Sequence, residues 1–395
     1  MESLRDDILY LFHQGINAAS PKELFQEFSN GNLELVEKLS DQSKKQFVFS
    51  LGKAAYSMAK SFSDFFPVNK GYVLTKYNHL PFVYSGNGKD LIWTYREASH
   101  PIPDENSIRY ALEVLDQLKQ LGKNDRLVVL LSGGGSSLFE IPVDGLSLGE
   151  LTNIQNQLLK SGKSIQEINS ERKKYSKVKG GKLLKELNED LEVYTLVISD
   201  VIGDDPNSIS SGPTYPSTNY FILGNLTRSI HRILEEGKKL GYQTKLLSDT
   251  WSGSSEETSY LFEKEFLLAL DSPMSQMIVL GGEMVCPVLG DGIGGRNQET
   301  SLRVSILLNE HPTEREWMFL SGGTDGTDGP TEVAGGLVGN DSIHKMENKG
   351  WNPKKELLNS NSYPILKDID ALVSTGPTGT NVNDILILLV GSTKS

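Results

Sequence analysis

Apolar runs that end in glycine-rich polar loops recur along this chain, and that arrangement constrains its fold more than any other feature. In "RLVVLLSGGGSS" (126–137) a run of Leu and Val passes directly into Ser132, Gly133, Gly134, Gly135 and Ser136. Four more loops of the same texture follow apolar runs: "SDVIGDDPNSISSGPT" (199–214), "GDGIGGRNQE" (290–299), "SGGTDGTDGP" (321–330) and "STGPTGTN" (374–381). A short apolar run bounded by turn residues reads as a buried strand. Helical patterns between such runs predict parallel α/β sheets, whose ligands bind at the C-terminal ends of the strands.

The intervening segments fit. "KQFVFSLG" reads as a strand and "KAAYSMAKSFSDFF" as the helix after it; "GYVLTKY" is the next strand. "SLGELTNIQNQLLKSG" is a helix with Ser147 as N-cap and Glu150 completing a capping box. "QMIVLGGEMVCPVLG" reads as two strands around Gly281 and Gly282, and "DILILLVG" as a central strand. A domain boundary is expected near Tyr215–Gly224.

Charge and composition exclude several classes. A net charge of -12 argues against nucleic-acid or anionic-membrane partners. No apolar run reaches the ~18 residues of a membrane span. The N-terminal "MESLRDDILYLFHQG" reads as an amphipathic helix rather than a signal peptide, so the cytoplasm is the expected compartment. The one cysteine, Cys286, sits in "MVCPVL" and is expected to be a small core residue.

Glycines admit an anion close to backbone N–H groups, and Ser and Thr hydroxyls add donors, so the loops point to phosphate. Gly290, Gly292 and Gly295 match the dinucleotide spelling G-x-G-x-x-G, but the acids about 20 residues on, Glu310 and Glu314, lie in a polar segment. Arg296, Asn297 and Gln298 follow these glycines and favour a triphosphate or phosphorylated product over a nicotinamide. A P-loop fails because Gln157 stands where glycine is required before Gly162-Lys163-Ser164. Asp200, Asp204, Asp205, Asp325 and Asp328 follow apolar runs, where a carboxylate holds Mg²⁺, accepts a proton, or merely caps a turn. Lys53 begins a helix, against the macrodipole, which implies a nearby anion. The basic stretch "ERKKYSKVKGGK" (171–182) offers further anion-binding cations, and His100 in "EASHPIPDE" reads as a structural hydrogen bonder.

Taken together, "GKAA" (52–55), "EASHPIPDE" (97–105), "LLSGGGSSL" (130–138), "EINSERKKYSKVKGGKL" (167–183), "VISDVIGDDPNSISSGPT" (197–214), "GGE" with "GGRNQE" (281–283, 294–299), "GTDGTDGP" (323–330) and "TGPTGTNVND" (375–384) resemble the class II glycerate kinases. These pair an N-terminal DUF4147 domain with a C-terminal MOFRL domain. The resemblance implies a Rossmann-like α/β domain over 1–222, a smaller mixed α/β domain over 223–395, and an active site in the cleft between them. It also implies transfer of phosphate from ATP, with a divalent metal, to D-glycerate, giving 2-phosphoglycerate.

Lys53, Asp200 and Arg296 match residues the family uses at its active site. Ser132, Gly133, Gly134, Gly135, Ser136, Gly294, Gly295, Asn297, Gln298, Thr324, Asp325, Gly326, Thr378 and Asn381 are the expected nucleotide contacts. Arg172, Lys179 and Glu283 are expected at the substrate, and Asp200 and Asp325 at Mg²⁺; a homodimer is left open. Two departures stand out: the family's extra stretch after "SGPTYPST" is missing, and Ile293 replaces a usual basic residue. The rival readings are a nicotinamide-dependent hydroxypyruvate or tartronate reductase, for which no histidine lies near the glycine loops in sequence, and a non-catalytic sensor of sugar acids or nucleotides.

Overall fold

The structure is a computed structural model describing residues 3–81, 83–84, 92–161 and 165–393, without the side chains at 159, 160, 165, 166 and 169. The Gly162-Lys163-Ser164 tripeptide lies outside the described residues. Two compact units form: Ser20–Asn225 with Gly379–Asn381, and Met1–Ala19 with Leu226–Thr378 and Val382–Ser395.

The first unit is built on strands β1 (Lys45–Leu51), β2 (Lys70–Lys76), β3 (Trp93–Ala98), β4 (Asp125–Leu131), β5 (Glu192–Ile198) and β6 (Tyr220–Gly224). They lie in the order β3-β2-β1-β4-β5-β6, and every pairing is parallel. Beyond their first residues β1 and β4 are buried throughout, which is why they read as unbroken apolar runs. Phe49 packs edge-on against Tyr72 and Phe139 in the core of this unit. The helix Leu148–Lys160 starts at the expected capping box: Glu150 N–H donates to Ser147 Oγ at 3.3 Å, and Ser147 N–H to the Glu150 carboxylate at 2.9 Å. This strand order is that of a dinucleotide fold. It reverses between β1 and β4, and the C-terminal edge of the sheet at such a reversal is where folds of this order bind ligands.

The second unit holds β7 (Gln243–Trp251), β8 (Gln276–Gly282), β9 (Trp317–Gly323), β10 (Gly335–Gly339), β11 (Leu372–Val373) and β12 (Asp384–Val390). Their order is β11-β10-β9-β12-β8-β7, and only β7–β8 is parallel, so this sheet is mixed. As its sequence implies, β12 is central and fully buried.

Three sequence expectations change. The division falls at Asn225/Leu226, after β6 has joined the first sheet, rather than at 222/223. The N-terminal helix Leu4–Ala18 belongs to the second unit, not the first. Gly15 lets it approach the helix Leu226–Lys239, since a Cβ there would lie 2.6 Å from Ile233 Cδ1. Tyr242 Oη donates to Asp7 at 2.6 Å and Arg228 Nε to the Ala18 carbonyl at 2.7 Å, which fastens the helix at both ends. Third, "MVCPVL" is no strand: Val285 makes one isolated bridge to Ser254, and Pro287 has no N–H for a ladder. Val285, Val288 and Leu289 are exposed, and Cys286 is only partly buried rather than in the core. Burial, reinforced by the Glu299 and Asp328 carboxylates, pushes its thiol up to about 11.

Candidate functional site

The loops after β1 and β4 are tied together by main chain. Lys53 N–H donates to the Gly133 carbonyl at 2.9 Å, and Ala54 N–H to Ser132 Oγ at 3.0 Å. Gly134 lies at φ +85°, a conformation that favours glycine. Side chains crowd this bare backbone. A Cβ at Gly133 would sit 1.7 Å from Asp200 Oδ2; one at Gly134 would sit 3.0 Å from His100 Cδ2 and 3.2 Å from both His100 Nε2 and Lys53 Cγ. Lys53, Asp200 and His100, far apart in sequence, thus converge on two residues of backbone. Asn381 Nδ2 donates to Asp200 Oδ2 at 3.2 Å.

The 199–214 loop braces this edge. Ser210 and Ser211 both have positive φ, 49° and 62°, and both are buried. Such backbone costs of order 1–3 kcal/mol per residue and persists only where its surroundings enforce it. Here Ser210 Oγ donates to the Ser132 carbonyl at 2.7 Å, and Ser211 Oγ lies 2.8 Å from Ser136 Oγ. The other two acids of the loop are structural: Asp204 accepts from Asn225 Nδ2 at 2.5 Å, and Asp205 closes an Asx turn on Asn207 N–H at 3.1 Å.

The basic stretch is mostly tied down. Lys177 pairs with Asp144 at 2.6 Å, and Lys182 donates to the Lys173 and Ser176 carbonyls. Lys179, expected at the substrate, is fully buried against Glu140, so its role is structural. Burial, only partly offset by Glu140, lowers its pKa. Arg172 differs. Its Nε is buried with no hydrogen-bond partner among the described residues, and burial depresses even this guanidinium.

In the second unit the helix Arg296–Asn309 starts directly after Gly295. Its first amides are not open to phosphate, because an acid of the chain already holds them. The Asp328 carboxylate accepts from Asn297 N–H at 3.1 Å and Gln298 N–H at 2.9 Å. Both side chains are fully buried: Asn297 Nδ2 bonds Asp384 at 3.0 Å, and Gln298 Nε2 bonds Asp328 at 3.0 Å and Thr331 at 2.8 Å. The glycines meet protein too. A Cβ at Gly294 would lie 2.1 Å from Ser362 Oγ, and one at Gly295 would lie 2.2 Å from Asp328 Cγ. Gly294, Gly295, Asn297 and Gln298 are therefore packing residues here, not a phosphate cradle.

Burial pushes Asp328 up to about 6, against the pull of its two backbone hydrogen bonds. Arg296 is clamped in two-donor fashion by Asp384, at 2.6 Å from Nε and 3.0 Å from Nη2, and its side chain remains 34% exposed. Burial works against its charge, but Asp384, then Asp328 and Glu283, hold its pKa above the ordinary value. Glu283 itself is exposed, one residue past β8.

Thr324, Gly326 and Thr378 fasten two loops together. Thr324 Oγ1 donates to the Asn383 carbonyl at 2.7 Å, Thr378 Oγ1 to the Thr324 carbonyl at 2.6 Å, and a Cβ on Gly326 would lie 2.1 Å from the Gly376 carbonyl. Asp325 accepts from Thr327 N–H at 3.0 Å in an Asx turn.

The family models match the two halves separately: the Domain of unknown function (DUF4147) over residues 7–230 and the MOFRL family over 276–384. A D-glycerate 2-kinase of Thermotoga maritima is 36% identical over 98% of this chain and 99% of its own. The chain belongs to the glycerate 2-kinase family. A solved structure of a Thermotoga maritima glycerate kinase superposes with TM-score 0.86 at 34% identity, covering 99% of this chain and 100% of that one. A putative hydroxypyruvate reductase of Agrobacterium vitis is 33% identical over 87% of this chain and 99% of its own. The alignment to the Thermotoga kinase spans 436 positions against 395 residues here, so that kinase carries segments this family member lacks.

Sequence reasoning set His100 aside and did not single out Asp384. For His100 the signal was its place two residues after β3, at the ligand-binding edge of the sheet. For Asp384 it was a lone acid heading an otherwise apolar strand, which at 0% exposure demands a cation. Among the described residues no group of three or more His, Cys, Asp or Glu is arranged for a metal. Asp200 offers a single carboxylate, which fits Mg²⁺ held largely by phosphate and water.

Proposed function

We propose that this chain transfers the γ-phosphoryl group of ATP to the 2-hydroxyl of D-glycerate, giving 2-phosphoglycerate and ADP. The observation that carries this reading is the convergence of Lys53 and Asp200 on Gly133 and Gly134 at the switch point of the parallel sheet. A lysine beside side-chain-free backbone suits phosphate, and a carboxylate over the adjacent Gly133 suits a metal or a hydroxyl proton. As the hydroxyl oxygen bonds to the γ-phosphorus, the bond to the ADP oxygen breaks and the hydroxyl proton leaves. Lys53 neutralises charge on the transferring group, and Asp200 holds the metal or takes that proton. Arg296, whose Nε and Nη2 are held by Asp384, keeps its guanidinium oriented and charged, and its remaining N–H donors suit phosphate oxygens. Arg172 serves the glycerate carboxylate. Mg²⁺, when bound through Asp200, neutralises phosphate charge.

Hydroxypyruvate reduction is the competing reading, since a relative carries that name. The sequence argument that no histidine is near the glycine loops does not survive folding, because His100 lies against Gly134. The cofactor site argues against reduction instead. The turn after β1, "LGKAAYS", lacks the dinucleotide glycines, and β2 ends in Lys76 rather than in the acid an NAD ribose needs. Incubation of the purified protein with ATP, Mg²⁺ and D-glycerate, with the product identified by NMR, should give ADP and 2-phosphoglycerate. Asp200→Asn should cut kcat at least ~10²-fold. No ADP, with NADH oxidised by hydroxypyruvate, would replace the kinase by the reductase.

A further inference from the structure

We propose that His100 is a phosphate-binding residue of this site, donating from Nε2 to the group that Lys53 neutralises. The inference rests on the kinase reading and names a group that reading does not use. Three observations carry it.

The first is position. His100 follows β3 by two residues, and its Cδ2–Nε2 edge faces Gly134, where a Cβ would come within 3.0 Å and 3.2 Å of those atoms. Lys53 Cγ lies 3.2 Å from the same point. Imidazole and ammonium stem therefore flank a single residue of side-chain-free backbone.

The second is polarity. The Asp200 carboxylate stands over Gly133 and the two nitrogen-bearing side chains over Gly134. An anion is repelled from the first position, whereas an imidazole N–H at the second can donate to it, so phosphate belongs on the Gly134 side. The glycerate hydroxyl, which has a proton to give up, suits the Asp200 side.

The third is the way the loop is held. Asp104 caps the helix Glu105–Leu118, accepting from Ser107 N–H at 2.9 Å, from Ser99 N–H at 3.4 Å and from Tyr77 Oη at 2.6 Å. The residue before His100 is thus tied to a helix start. On the other side, His79 Nδ1 contacts the Lys53 carbonyl at 3.1 Å. The backbone that carries the imidazole and the backbone that carries Lys53 are each tied down, which limits where the two side chains can stand, as a preorganised contact requires.

The test uses the intact protein and two readouts. With six histidines in the chain, the His100 imidazole signals can be assigned in ¹⁵N-labelled protein by their loss in His100→Gln. Inorganic phosphate should shift the His100 Nε2 signal at concentrations where D-glycerate leaves it in place. A signal that moves with neither, or with glycerate alone, overturns the proposal. In kinetics His100→Leu should lower kcat/KM for ATP about 10- to 100-fold, the weight of one hydrogen bond to a charged group. His100→Gln places an amide nitrogen near the Nε2 position and should recover most of the loss; His100→Asn, which mimics Nδ1, should not. Equal loss in Gln and Asn variants that retain wild-type circular dichroism also overturns it. If the wild type phosphorylates no glycerate, the kinase reading fails by itself, and the phosphate titration still decides the role of His100.

Discussion

Removing the Arg296 side chain should damage the fold as well as the reaction, and the two losses can be separated. Asp384 is 0% exposed and accepts from Arg296 Nε at 2.6 Å, Arg296 Nη2 at 3.0 Å and Asn297 Nδ2 at 3.0 Å. Arg296→Ala removes two of these donors and leaves a carboxylate that the fold buries completely, with Asn297 as its one remaining side-chain donor among the described residues. Breaking a buried pair in this way costs about 3–5 kcal/mol, and the one-third exposure of Arg296 puts this pair near the lower end. For a unit of this size about 3 kcal/mol corresponds to a fall in Tm of roughly 6–12 °C. The double variant Arg296→Ala/Asp384→Asn no longer buries an unpaired charge, so it should regain much of that stability. It should regain no activity, because the guanidinium proposed to act on the phosphoryl group is still absent. Arg296→Lys keeps the charge without the planar fork, and should lose kcat with a smaller drop in Tm. Thermal melts by circular dichroism and steady-state kinetics on the three variants supply both numbers. A single Ala variant that melts within a degree or two of wild type, or a double variant no more stable than it, would refute the orphaned-carboxylate argument.

Gly133→Ala isolates the placement of Asp200. The Gly133 backbone does not have positive φ, so alanine fits it, but the new methyl would lie 1.7 Å from Asp200 Oδ2 and must push the carboxylate aside. A displacement of that order should cost about 10²-fold in kcat with the circular dichroism spectrum unchanged; wild-type turnover would remove Asp200 from the reaction. Asp328 makes a pH prediction. Its folded-state pKa, about 6, stands above the ~3.9 of an unfolded aspartate, so the folded state holds the extra proton between these values. Its contribution to stability is therefore full below pH ~4 and is lost as pH rises through about 6, a change of at most about 3 kcal/mol. Urea unfolding at pH 4.5 and 7 should show that slope in wild type and a flatter one in Asp328→Asn; equal stability differences at both pH values would count against it.

Local sequence determined whatever depends on neighbours along the chain. The strands β1, β4 and β12 were legible because burial on both faces leaves an apolar run, and the helix from Leu148 because Ser147 and Glu150 close a capping box within one turn. Lys53 and Asp200 were legible because each follows such a strand, at the edge where α/β sheets bind ligands. Tertiary structure alone decided which polar groups remain available to a ligand. Lys179 and Gln298 look like ligand contacts in the sequence, yet Glu140 and Asp328, 39 and 30 residues away, consume them. His100 looks structural until β3 is placed beside β2, which carries its ring to Gly134. The same holds for the helix Leu4–Ala18: its amphipathic pattern calls for a partner, but only Gly15 against Ile233 shows that the partner is more than 200 residues away. A buried charge or an apolar face must find a partner, but the pattern along the chain specifies only the need, and the fold supplies the residue that meets it.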